Sequence, residues 1–270
     1  MRSYQTISRL LVIVLLAVGM TGCGSFTTNV GNVVIGEGSG SGELISLQKE
    51  SFKVVDFDKI DIKAEAMAIF VTKSTTDDAE VELLVDDKID SKFTLETSLK
   101  SSKLDINVKE KEKGGSIIND TRGERKLNIS LPDKLYNQLT INNNFGLVDI
   151  NDLNTESLDI KVDAGSIQLK SVVGEMNLEV NAGQIVVEGF SLENDLTAKT
   201  DAGAIRIDLN ASPKAAEIKL VSEVGSVSSN LEGIDYSVNS TNKKTGTIGS
   251  DGYRINASTS VGDIQVNLKN

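Results

Sequence analysis

The chain has 270 residues, 28 of them basic and 39 acidic, for a formal charge of −11; it contains two prolines, one cysteine and neither histidine nor tryptophan. The acid excess argues against nucleic acid or anionic lipid headgroups as partners, because both require a basic surface. Without histidine the commonest general base and the commonest transition-metal ligand are both missing, which excludes a Ser-His-Asp relay and most metal-hydrolase schemes.

Residues 1–22 have the parts of an export signal. Arg2 and Arg9 supply positive charge, Leu10 to Met20 is an apolar run, and Met20-Thr21-Gly22 leads to Cys23. The run is too short to span a bilayer, which takes about 20 residues, so the segment is expected to be removed, leaving a charge of −13. Cys23 follows small residues and resembles a bacterial lipobox. That resemblance implies a diacylated thiol at the new N-terminus and an exported protein anchored by acyl chains to the cell membrane or outer membrane, facing the surface. With a single cysteine no disulfide forms within the chain.

Residues 23–50 read as a flexible tether, because the run Gly36 to Gly42 alternates glycine with small polar residues and buries little. From 51 to 270 the chain reads as all-β. Its less regular part, 51–131, alternates apolar and polar residues: Ile60, Ile62 and Ala64; Met67, Ile69 and Val71; Val81, Leu83 and Val85; Leu104, Ile106 and Val108. The charged segment from Lys109 to Arg125 reads as a solvent-exposed loop or long hairpin.

From 132 to 270 one phrase repeats: Asn144-Phe145-Gly146, Asp163-Ala164-Gly165, Asn181-Ala182-Gly183, Asp201-Ala202-Gly203, Glu223-Val224-Gly225, Lys244-Thr245-Gly246 and Ser260-Val261-Gly262. The glycines are 19, 18, 20, 22, 21 and 16 residues apart. Apolar pairs recur before each (Leu158 and Ile160, Met176 and Leu178) and after it (Ile167 and Leu169, Ile185 and Val187). A fixed turn at a nearly fixed distance predicts a right-handed parallel β-helix, a β-solenoid with coils of about 19 residues, each lying on the previous one. The glycine is expected to take positive φ, and the residue two places before it to cap backbone N–H groups.

Two features, the lead-in Phe57-Asp58-Lys59-Ile60-Asp61-Ile62 and units such as Leu158-Asp159-Ile160-Lys161-Val162-Asp163-Ala164-Gly165, resemble a bacterial family of adhesin-like β-strand-repeat envelope proteins of uncharacterised function. The resemblance covers roughly residues 50–270. It implies export, with a lipid anchor in some members, and brings no catalytic residues with it.

Little here points to chemistry. Carboxylates among Asp163, Asn181 and Asp201 raise the idea of Ca²⁺ between coils, but Asn181 separates the acids and the calcium-binding β-roll phrase is missing, so a hydrogen-bonded ladder is preferred and no metal or cofactor is assigned. Lys161, Lys199, Arg206 and Lys219, with Asp149, Asp159 and Asp208, have the residue types of a polysaccharide-cleaving β-helix but fall on outward positions of different units. No catalytic residue is assigned, and the chain is read as a non-enzyme. The first functional reading is a lipid-anchored envelope protein presenting a solenoid surface for adhesion or for a protein or glycan partner. The second is an accessory or regulatory lipoprotein of an envelope-stress or transport system, and the third a glycan-degrading enzyme.

Overall fold

Alternation of Ile, Leu and Val with polar residues turns one side of each strand inward. In the computed structural model of the chain these inward residues merge into one core reaching from Phe57 to Val266. The chain divides into two units, Met1–Asn32 and Val33–Asn270, and the structure describes residues 42–110 and 123–269, all within the second. The export signal, Cys23, most of the tether and the middle of the charged segment therefore lie outside the described residues.

The described chain is all-β. Its strands are β1 (Leu44–Lys53), β2 (Lys59–Ala66), β3 (Ala68–Lys73), β4 (Asp78–Asp86), β5 (Phe93–Lys100), β6 (Lys103–Glu110) and β7 (Arg125–Leu131). There follow β8 (Leu135–Phe190), β9 (Leu196–Leu209), β10 (Ala216–Val224), β11 (Val227–Ser229), β12 (Asp235–Asn239), β13 (Lys243–Ile248), β14 (Tyr253–Val261) and β15 (Ile264–Leu268). Among the described residues no helix is long and apolar enough to cross a membrane. β1 takes in residues 44–50, which composition alone places in the tether. It pairs antiparallel with β4, where Ile45 meets Val85 and Phe52 meets Ala79.

β8 is one extended stretch carrying three of the repeated corners, at Gly146, Gly165 and Gly183. Each coil contributes one run of strand before its glycine and one after, so the sheet has two parallel ladders whose inner faces share the core. In the first ladder Met176 lies beside Leu196, Leu196 beside Ile255, and Ile255 beside Ile218. In the second Ile185 lies beside Ile205, Ile205 beside Ile264, and Ile264 beside Val227. All of these side chains are at most 5% exposed, and burying each contributes roughly 1.5–3 kcal/mol.

The coils are not stacked in chain order throughout. The last coil, β14 and β15, lies between β9 and the β10–β11 coil, although β10–β11 precedes it in sequence. The other end mirrors this. β2 and β3 lie between β8 and the later strands β6 and β7. At each end, then, the outermost coil is the second one met from that terminus of the domain.

Antiparallel strands cap both strands of the N-terminal outermost coil and β10 of the C-terminal one, while β11 pairs only with β15. β5 covers β6, β4 and then β1 cover β7, and β13 followed by β12 covers β10. A parallel stack otherwise ends in a row of unpaired N–H and C=O groups, which templates aggregation. The expectation that each coil sits on its predecessor is therefore corrected at both ends, and the reason is that equivalent coils are interchangeable in pattern. Gly246 is corrected with it. It lies in β13, opposite Ile218 and Tyr236 in antiparallel register, so Lys244-Thr245-Gly246 is part of an end-capping hairpin rather than a seventh corner.

Candidate binding surface

The six remaining corners stand in single file. A Cβ placed on Gly165 would come within 1.9 Å of Gly146 O, and one on Gly183 within 1.7 Å of Gly165 O. The same contact links Gly203 to Gly183, Gly262 to Gly203, and Gly225 to Gly262. The column therefore runs 146, 165, 183, 203, 262, 225, and φ along it is between +124° and +152°. Glycine is required twice over: for the backbone conformation and because the neighbouring coil's carbonyl fills the space a side chain would take. Inside the corner, Ser222 Oγ donates to Gly262 O at 2.8 Å and Thr259 Oγ1 to Gly203 O at 3.3 Å, so buried hydroxyls tie the carbonyls of adjacent coils.

Two places before these glycines, spatial order reads Asn144, Asp163, Asn181, Asp201, Ser260, Glu223. Inserting the last coil puts Ser260 between Asp201 and Glu223, which would be neighbours in chain order. Acids thus alternate with neutral residues about 9.6 Å apart, twice the strand spacing, too far to share one cation. Among the described residues no group of three or more His, Cys, Asp or Glu is arranged to hold a metal ion. Asn181 Nδ2 donates to Asp163 Oδ1 at 3.1 Å, so this side chain bridges coils instead of capping its own turn.

A second feature has no counterpart in the repeat phrase. On the outer face of the first ladder a groove of about 410 Å³ crosses five neighbouring coils. Its floor is a column of polar side chains in exact register: Asp159, Asn177, Thr197, Asn256 and Lys219. Asn177 Nδ2 reaches Asp159 Oδ1 at 3.4 Å. Beside it runs a charged row, Glu175, Asp195, Arg254 and Glu217.

Arg254 anchors that row. Its backbone N–H donates to Asp195 Oδ1 at 2.9 Å, Nε to Asp195 Oδ2 at 2.8 Å and a terminal nitrogen to the same oxygen at 2.5 Å. These hydrogen bonds hold the Asp195 carboxyl below its ordinary range and push the Arg254 guanidinium above its own, with the charges of Glu217 and Glu175 adding to the latter. Arg254 comes from the inserted coil, so it separates two acids, Asp195 and Glu217, that chain-order stacking would place side by side. The pair is 59 residues apart, and no local signal in the sequence discloses it.

The charges that suggested glycan cleavage do not converge. Lys161, Lys199, Lys219 and Asp159 lie on the outer face of the first ladder, and Lys161 pairs with Glu179 at 3.7 Å. Arg206, Asp208 and Asp149 lie on the second. There Arg206 is engaged by Glu188 and by Asp208, its Nε donating to Asp208 Oδ2 at 2.9 Å, while Asn151 Nδ2 donates to Asp149 Oδ1 at 2.5 Å. Burial raises the Asp149 carboxyl, against the Asn151 hydrogen bond and the charge of Lys170.

No curated protein matches the chain in sequence. Residues 138–267 match the model of the Toastrack DUF4097 family. That segment is similar to a Toastrack domain. The Toastrack segment opens in the first coil of β8 and closes in β15, so it holds the whole glycine column and all of the groove, and leaves out β1 to β7. The β-solenoid character of the Toastrack fold agrees with the paired parallel ladders, and the adhesin-like resemblance read from the residues holds.

The chain is similar in fold to the crystal structure of a candidate cell adhesion protein from Clostridium sporogenes, at 12% identity and a TM-score of 0.51, covering 84% of this chain and 100% of that one. A candidate adhesin from Bacteroides fragilis aligns at 17% identity over 83% of this chain and 97% of its own, with a TM-score of 0.38. The first likeness extends the shared architecture beyond the Toastrack segment into the N-terminal strands.

Proposed function

We propose that the protein is a non-enzymatic, lipid-anchored component of the bacterial cell envelope whose Toastrack solenoid binds a partner along the outer face of its first ladder. The observation that carries this reading is the groove across five coils, whose polar side chains are fixed in register by strands and by the Arg254–Asp195 pair. Rigid, repeated, weakly interacting groups along one direction suit adhesion or partner binding, and repeat proteins use extended surfaces in this way. Charges scattered over the outer faces of two ladders suit catalysis poorly. In this reading the solenoid is right-handed with coils of about 19 residues, as parallel crossovers favour, and acyl chains on Cys23 hold it to the membrane, each buried CH₂ contributing about 0.8 kcal/mol.

Three experiments test the proposal. Cys23→Ser should move the full chain from the membrane to the soluble fraction; retention would mean a different anchor. Capture from intact envelopes with the wild-type chain should recover an exposed surface component. Recovery of a membrane protein of the same cell alone would favour an accessory role instead, and release of reducing or unsaturated sugars from polysaccharides would overturn the non-enzymatic reading.

A further inference from the structure

We infer that the groove on the first ladder binds an extended, amine-bearing glycan, with the hydroxyl and ammonium pattern of a β-linked glucosamine polymer. The inference rests on the binding role proposed above and names the chemistry that the groove would accept.

The first argument is pitch. Asp159, Asn177, Thr197, Asn256 and Lys219 come one from each of five adjacent coils, so the groove offers one polar group about every 4.8 Å along its length. A β-1,4-linked hexopyranose chain rises by a similar step per sugar but turns over at each one, so like hydroxyls return to the groove side at every second coil. Alternate sugars can therefore meet the polar groups of alternate coils, Asp159, Thr197 and Lys219 or Asn177 and Asn256, while the chain stays extended. Strand-borne side chains lose little freedom on binding, which favours many weak hydrogen bonds acting together.

The second argument is charge. Four acids line the groove against two bases, and Asp195 already holds Arg254. Glu175 and Glu217, on either side of that pair, make no hydrogen bond or ion pair among the described residues. Their positions suit ammonium groups carried along a chain and reject sulfated or uronic glycans and nucleic acid.

The third argument is what the groove lacks. Its apolar residues, Met176 and Ile255, are 1% and 0% exposed, so it has no apolar anchor pocket of the kind that carries most protein–protein affinity. A hydroxyl-rich chain needs none.

The test is calorimetry on the full mature chain in detergent, titrated with glucosamine dimer, trimer, pentamer and heptamer and with their N-acetylated counterparts. Affinity for the amine form should rise at least about tenfold from dimer to pentamer and then level off, because five coils contribute, and it should weaken as salt is added. The double variant Glu175→Gln with Glu217→Gln should lose at least about fivefold for the amine form and bind the N-acetylated form as the wild type does. Asn177→Ala should weaken both forms. Equal melting temperatures will show that the variants fold. Affinity independent of chain length, or a double variant that binds like the wild type, overturns the inference. So does a Lys-rich peptide that binds where the pentamer does not, since it would assign the groove to a cationic protein segment. Envelope capture unchanged in the double variant would remove the groove assignment and leave the broader binding role standing.

Discussion

A single glycine shows how closely the coils approach one another. At Gly183 a methyl group would meet Gly165 O at 1.7 Å on a backbone with φ of +141°, whereas Gly233, with φ of +75°, has no atom within 4 Å of the same methyl position. Gly183→Ala should therefore cost more than about 3 kcal/mol, combining strain with displacement of the neighbouring coil. Gly233→Ala should cost about 1 kcal/mol, from backbone conformation alone. Paired melting curves check this, and equal losses would mean that coil contact contributes nothing.

Carboxylates add a pH dependence. Asp86 accepts the N–H groups of Lys88 at 2.9 Å and Gly42 at 2.6 Å, Asp133 accepts Lys73 at 2.6 Å, and Asp195 accepts Arg254. Each is held below its ordinary value of 3.8 by those bonds. A depressed folded value means that the stabilisation is complete above the unfolded value and disappears as pH falls through the folded one. Asp149, raised by burial, acts in the opposite sense. The melting temperature should accordingly stay level down to about pH 5 and drop below about pH 4, with Asp195→Asn flattening part of that drop. Thermal scans against pH decide the point.

Among the elements, β14 and β15 hold the position with the most consequence. They pair with β9 on one side and with β10 and β11 on the other, so they close two parallel edges at once. Removing residues 250–270 should open both edges, separate the β10–β13 cap from the stack, and turn a single cooperative transition into a broad or aggregating one. Arg254→Met keeps the coil but deletes its link to Asp195 and leaves Asp195 and the flanking Glu175 and Glu217 without its charge. It should lower the melting temperature, and more so at low salt.

The strands themselves were legible in the sequence. Pairs such as Met176 with Leu178 and Ile205 with Ile207 alternate as inward residues must, and the Asx-x-Gly spacing marks true corners from Gly146 to Gly203. The order of the coils was not legible. Ile218, Ile255 and Leu196 are equivalent in every local respect, so nothing in their pattern says which is neighbour to which. Lys244-Thr245-Gly246 copies the corner phrase for a related reason: an alternating strand that packs antiparallel on the stack has the same period as one that packs parallel. Tether and strand were confused at residues 44–50 because Leu44, Ile45 and Leu47 are too few to reveal a partner strand 31 to 42 residues away.

The domain is a parallel stack with mirrored ends: at the C-terminal end the chain builds the outer coil and returns to fill the gap, whereas at the N-terminal end it lays the inner coil β2–β3 first and builds the outer coil β6–β7 before passing to β8. That arrangement places antiparallel strands over most of the outermost parallel edges, spaces the corner acids, and puts Arg254 in the groove. Cross-linking tests it directly. In a Cys23→Ser background, Ala202→Cys with Val261→Cys puts thiols on register partners, while Ala202→Cys with Val224→Cys puts them on coils adjacent in chain order. A disulfide needs Cα atoms within about 7 Å, which neighbouring coils satisfy at about 4.8 Å and next-but-one coils at about 9.6 Å do not. The interleaved stack predicts that oxidation locks 202 to 261 and leaves 202 and 224 free. A bond between 202 and 224 would contradict it.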